Sequence, residues 1–199
     1  MIEFNRGNVR DSLKSLKEII SENPRAPSDI WFAIGLCYYR LGDLLKSKLS
    51  LEKTLEVDPQ NSMALAASGI IELASNVNDY DARDAAIGFF ERSFNANPRN
   101  PIALKYLAEH YFYKKQYELS KELCMAGIMV LKNKNKPERV DIVTFRQDIQ
   151  LLRSDFYFIN GKISHALEKY TEAFQHYEES LRHNTKNMKT LFCLAKVHF

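Results

Sequence analysis

The chain has 199 residues and a formal net charge of +3, with 45% hydrophobic and 27% charged residues. That length admits one or two ordinary domains, or about five or six short structural repeats. The charge is too small to argue for a nucleic-acid binder, and 7 Gly with 6 Pro are too few for an all-β chain full of tight turns.

Residues 2–27 read as a partial repeat: "RGNVRDSLKSLKEIISENP" has the pattern of a second helix and its turn, with no first helix before it. The first whole unit spans 28–61. "WFAIGLCYY" within it carries apolar residues at spacings of three and four, which predicts a helix packed on two sides rather than a strand. Trp31, Ile34, Gly35 and Tyr38 follow the W-x2-L-G-x2-Y spacing of the tetratricopeptide repeat, with Ile in place of Leu. Gly35 removes a side chain where a partner helix approaches. The second helix supplies Leu44, Leu51 and Leu55, places Ser47 and Thr54 at small-residue positions, and stops at "VDPQN" because Pro59 cannot continue the hydrogen-bond ladder.

The second unit, 62–100, repeats the arrangement with Leu65 and Gly69 on its first helix and Ala86, Phe90 and Ser93 on its second. The spacing from Pro59 to Pro98 exceeds the usual 34-residue period by about five, and the polar stretch "SNVNDYD" is the natural place for the excess. The third unit, 101–134, has Leu104, Leu107, Ala108 and Tyr111, then Tyr117, Ser120, Cys124 and Gly127. The fourth, 138–187, has Tyr157, Gly161, Ala173, Tyr177 and Ser180, with a first helix expected to begin early, near residue 138. Residues 188–199 read as a first helix without its second, through Leu191, Leu194, Ala195 and His198. A stack that starts and stops within a unit lacks polar caps, so a piece of a longer protein is expected. The expected fold is all-α: a right-handed superhelical tetratricopeptide solenoid forming one array over residues 1–199.

In such arrays the first helices line the concave face. That geometry assigns Phe32, Leu36 and Tyr39, then Met63, Ile70 and Leu73, then Ile102, Lys105, Glu109 and Phe112 to a partner-binding surface. Asp155, Phe158, Lys162 and His165 continue it in the fourth unit. The strip is largely apolar in the first two units, which suits an extended or helical peptide segment of a partner protein; the alternative is a tightly wound array in which these groups bury against one another or against the long helix after 138. Phe32 and Leu36 stand where receptors for a C-terminal carboxylate carry polar groups, so that function is disfavoured.

No chemistry-bearing motif is found. The five histidines (His110, His165, His176, His183 and His198) make no H-x-x-x-H pair with a neighbouring Glu, and there is no phosphate-binding glycine loop or nucleophile elbow. No enzymatic activity, metal or cofactor is expected. Cys37, Cys124 and Cys193 lie far apart among apolar neighbours, as core thiols in a reducing compartment do. No apolar run approaches the ~18 residues of a membrane span, and Met1–Arg10 holds no apolar signal region. An intracellular, soluble protein is expected. "KNKNKPER" is the densest basic stretch, but Lys132, Lys134, Lys136 and Arg139 lack interleaved aromatics, so direct nucleic-acid binding is not expected.

Three segments go beyond the general repeat. Residues 23–73, residues 97–120 with "LAEHYFYKK", and "YTEAFQHYEES" resemble, in order, the large tetratricopeptide subunit of the RNA polymerase II-associated factor complex. The resemblance implies a nuclear scaffold that binds other subunits of that complex, in transcription elongation and the linked histone modification. "KNKNKPERVDIVTF" departs from the family pattern. The alternative is a tetratricopeptide adaptor of another machine, in RNA processing or the cell cycle.

Overall fold

The computed structural model describes residues 8–23, 25–75, 80–132 and 149–197. Among them are ten helices and no strand: α1 Val9–Glu22, α2 Ser28–Arg40, α3 Leu44–Val57, α4 Ser62–Ser75, α5 Tyr80–Ala96, α6 Pro101–Tyr113, α7 Tyr117–Lys132, α8 Ile149–Ala166, α9 Tyr170–His183 and α10 Met188–Val197. The all-α expectation holds. The expected start of the fourth unit's first helix near 138, most of the basic stretch, the centre of "SNVNDYD" and His198 lie outside the described residues.

Two compact units divide the chain, 1–97 and 98–199. In the first, α2 pairs with α3 and α4 with α5, while α1 packs on α2 and α3 on α4. In the second, α6 pairs with α7 and α8 with α9; α7 packs on α8, α6 lies against α8, and α10 meets α9 and α8.

The hairpins close by one repeated device. After α2, α6 and α8 a single residue takes the left-handed conformation: Gly42 at φ 80°, Lys115 at 59° and Glu168 at 60°. The amide of each donates to the carbonyl three residues back, and the next amide reaches five back, as in Gly42 N to Tyr39 O and Asp43 N to Tyr38 O. This satisfies the last carbonyls of the first helix. Second helices end differently. Asp58 and Asn184 accept from the amides of Gln60 and Lys186 at 3.3 and 3.2 Å. Asn61, Asn100 and Asn187 then cap the helices that follow, accepting from Ala64, Ile102 and Thr190 amides at 3.0–3.2 Å. The "DPQN", "NPRN" and "NTKN" stretches are therefore helix stop and helix start written within four residues.

Small residues set the distance between packed helices. A Cβ on Gly161 would stand 2.4 Å from the Tyr177 ring, and one on Gly127 would stand 2.1 Å from Phe156. Tyr177 and Phe156 are each at most 1% exposed, so these rings occupy the space that a side chain would need. Buried hydroxyls bond across the same seams. Ser47 Oγ donates to the Gly35 carbonyl and Ser120 Oγ to the Ala108 carbonyl, both at 2.7 Å. Ser180 Oγ sits 2.9 Å from Ser154 Oγ and 3.0 Å from Thr190 Oγ1, joining α9 to α8 and α10. Each of these polar groups is tolerated in the core because it has a partner.

Candidate functional site

The first helices of the units carry the expected partner surface, and the two units differ. In the first, Phe32, Leu36 and Ile70 are buried, Leu36 to 2% exposure, while Tyr39, Met63 and Leu73 keep partial exposure. Four of the ten expected residues are core in the chain as folded, because Ile102 on α6 is also fully buried. The reason is physical: helical periodicity puts these side chains on one face, but neighbouring elements cover that face. Glu72, beside Leu73, is tied to Lys48 of α3 at 3.0 Å, so the rim of this region is an ion pair.

In the second unit the surface is polar and aromatic. Because α6 lies against α8, Lys105, Glu109 and Phe112 come together with Phe158 and Lys162. Glu109 is shared by two lysines, at 3.4 Å from Lys105 and 3.9 Å from Lys162. Lys162 Nζ lies 4.3 Å from the Phe112 ring centre, 4.8 Å from Tyr113 and 5.2 Å from Phe158, and Lys105 Nζ lies 3.9 Å from Tyr106. Both lysine side chains retain 14% exposure. Aromatic faces at these distances attract an ammonium and shield it from water.

The protonation balance follows from that shielding. Burial pushes the Lys162 ammonium below the ordinary lysine range, and Glu109 only partly restores it. Burial acts the same way on Lys105, but Tyr106, Glu109 and Asp155 together outweigh it and leave this lysine raised. Asp155 is raised by burial against the pull of Lys105. The result is a half-buried patch in which cations and carboxylates compensate one another.

Other residues singled out from sequence have structural surroundings. Tyr157 stacks on His183 with ring centres 5.5 Å apart, and His183 Nδ1 lies 2.7 Å from Gln150 Oε1. Cys37 and Cys124 are buried as expected, and burial raises both, the Cys37 thiol to about 11. Cys193 is only half-buried. Among the described residues no group of three or more His, Cys, Asp or Glu is placed to hold a metal ion. Sequence reasoning missed Tyr106 and Tyr113 as walls of the lysine sites. Tyr106 had a signal in its adjacency to Lys105, whereas Lys162 and Tyr113 meet only through the packing of α6 on α8.

Helix pairs closed by the same turn, spaced by small residues at fixed places and stacked on their neighbours, define a tetratricopeptide-type fold, and residues 28–61 match the tetratricopeptide repeat model. The chain is similar in sequence to a particular set of proteins: 34% identical over 129 residues to "Protein CTR9 homolog" of Arabidopsis thaliana, 32% over 118 residues to "RNA polymerase-associated protein CTR9" of Caenorhabditis elegans, and 27% over 122 residues to the Saccharomyces cerevisiae protein of that name. These matches take in 65%, 59% and 58% of this chain but 12%, 10% and 11% of the relatives, so the chain spans roughly a tenth of their length. Among solved structures, Pseudomonas aeruginosa PilF is similar at a TM-score of 0.61 and 21% identity, over 85% of this chain and 67% of that one. A thermophilic tetratricopeptide protein of Thermus thermophilus is similar at 0.60 and 11%, over 96% and 91%. Identities this low speak for the fold alone.

Proposed function

We propose that this chain is a protein–protein interaction segment of a nuclear scaffold, the tetratricopeptide subunit of the RNA polymerase II-associated factor complex, acting in transcription elongation and the linked histone modification. The observation that carries the reading is the 34% identity over 129 residues to the CTR9 homolog, on a fold whose exposed helix faces suit binding rather than chemistry. The partner surface is the part of the expected strip that keeps exposure: Tyr39, Met63 and Leu73 in the first unit, and Lys105, Glu109 and Phe112 in the second. Phe32, Leu36, Ile70 and Ile102 serve it from below by holding the helices in place. The partner is a segment of another subunit, extended or helical.

The tagged 199-residue chain, used as bait in nuclear extract and read by mass spectrometry, tests this. Subunits of the polymerase-associated complex should be enriched over a Lys105→Glu/Glu109→Lys double variant that remains folded by circular dichroism. Recovery of an RNA-processing or cell-cycle assembly with no elongation factor would overturn the reading.

A further inference from the structure

A second surface lies on the other side of α2. Trp31, Ile34 and Tyr38 project roughly opposite to Phe32, Leu36 and Tyr39 on this helix, since 3.6 residues make one turn. They form the floor of a cleft of about 320 Å³ whose walls are Lys17 and Ile20 of α1 and Lys46, Leu49 and Ser50 of α3. That volume lies at the lower end of what ligand sites use. The lining is predominantly apolar, and among the described residues its formal charges are the two lysines. Both ammonium groups stand near Tyr38, Lys17 at 5.3 Å and Lys46 at 5.6 Å from its ring centre. Outside the lining, Lys46 also pairs with Asp43 at 2.7 Å, an exposed contact that leaves it donors to share. Lys17 also belongs to a basic stripe, because Arg10, Lys14 and Lys17 are all exposed and share one face of α1. Within the lining, Leu49 is 53% exposed.

This opening is not a general consequence of stacking such helices. The fourth unit has the same register, with Gly161 in the place of Gly35 and Glu168 in that of Gly42. The equivalent cleft there is lined by Asn160, Ser164, Glu172 and His176, in the places of Ile34, Tyr38, Lys46 and Ser50, and it encloses only about 20 Å³. One fold thus carries a nearly closed, polar notch of mixed charge in one unit and an open, apolar one in another, whose charged lining among the described residues is two lysines.

We infer that the α1–α2–α3 cleft docks an acidic amphipathic helix of a partner protein, which inserts a Leu- or Phe-sized side chain over Trp31 and Ile34 and sets carboxylates against Lys17 and Lys46. An apolar floor beside an exposed leucine selects a bulky anchor. Lysines with no acid among the lining residues select carboxylates flanking that anchor. The inference does not rest on the proposed function, since it concerns a different surface.

The single tryptophan of the chain is Trp31, so its fluorescence reports on this cleft. The probe is a synthetic helical peptide with one Phe and one Leu flanked by glutamates, titrated into the 199-residue chain, with its lysine-for-glutamate counterpart and a single-stranded oligoribonucleotide as comparisons. A saturable shift of Trp31 emission by the acidic peptide is expected. A Lys17→Gln/Lys46→Gln variant should bind roughly three- to thirtyfold more weakly, the range for losing two exposed ion pairs. Leu49→Glu, at an exposed position, should abolish the shift. Unchanged emission, equal binding of the basic peptide or the oligoribonucleotide, or less than a twofold effect in the double variant would each overturn the assignment. So would self-association of the chain that the double variant removes, because the occupant would then be a second copy. Far-UV circular dichroism and an unchanged urea midpoint confirm that the variants are folded, and Lys46→Gln leaves the Asp43 cap of the Lys46 amide in place.

Discussion

Two glycines in one hairpin should respond to the same substitution with opposite sign. Gly88 lies inside α5, and a Cβ built there meets nothing within 4 Å. Gly69 lies inside α4, and its Cβ would come 2.8 Å from Cε1 and Cζ of Phe90 and 3.1 Å from the Ala86 carbonyl oxygen. Helix propensity favours Ala over Gly by about 1 kcal/mol at either site. Gly88→Ala should therefore stabilise by about 0.5–1 kcal/mol. Gly69→Ala gains the same amount and then needs the Phe90 ring to retreat by about 0.6 Å to reach ordinary contact. Phe90 is fully buried and the Ala86 carbonyl belongs to the backbone of α5, so neither yields freely. Overpacking of this kind costs about 1–3 kcal/mol, which leaves Gly69→Ala destabilising by about 1 kcal/mol. Urea unfolding followed by Trp31 fluorescence reads the unit that holds both sites. Phe90→Leu, costing about 1–2 kcal/mol alone, should cost less in the Gly69→Ala background, since the smaller side chain makes the room that Ala needs. Equal stabilisation by Gly69→Ala and Gly88→Ala, or strict additivity with Phe90→Leu, would refute the close α4–α5 approach.

The three left-handed turns give a second contrast: Glu168→Gly should stabilise the second unit by up to about 1 kcal/mol, and Gly42→Ala should destabilise the first by about 1 kcal/mol, because a Cβ is penalised in that conformation; urea midpoints by circular dichroism check both. His176 is half-buried, and burial lowers its pKa below 6.5 despite Glu172, with Lys121 adding to the lowering. The folded state therefore favours neutral imidazole. Its contribution is fully present above pH 6.5 and is lost as pH falls through the lowered folded value. The urea midpoint of the second unit should decline in that window, and His176→Gln should flatten the decline.

Much of the fold was legible in the sequence because its signals are local. "DPQN", "NPRN" and "NTKN" mark stops and starts through proline, Asx turns and caps that act within four residues. The recurring small residues Gly35, Ser47 and Thr54, and their counterparts Gly161, Ala173 and Ser180, mark where paired helices approach. The turn at Lys115 and Glu168 is less legible, since neither residue announces a left-handed backbone; the hairpin around them imposes it.

The candidate site was legible only as a face. Periodicity put Leu36, Ile70 and Ile102 beside Tyr39, Leu73 and Lys105, and could not say that the first three are buried while the others reach the surface.

Sequence by itself determined the helices, their order and which residues share a face of each, since these depend on hydrogen-bonding and steric preferences a few residues long. Tertiary structure alone decided which of those faces are covered, that Lys162 sits among Phe112, Tyr113 and Phe158, and that the cleft over Trp31 stays open while its counterpart at Asn160 nearly closes. Burial and electrostatic environment are set by atoms from other helices, tens of residues away along the chain, at distances that no local pattern encodes.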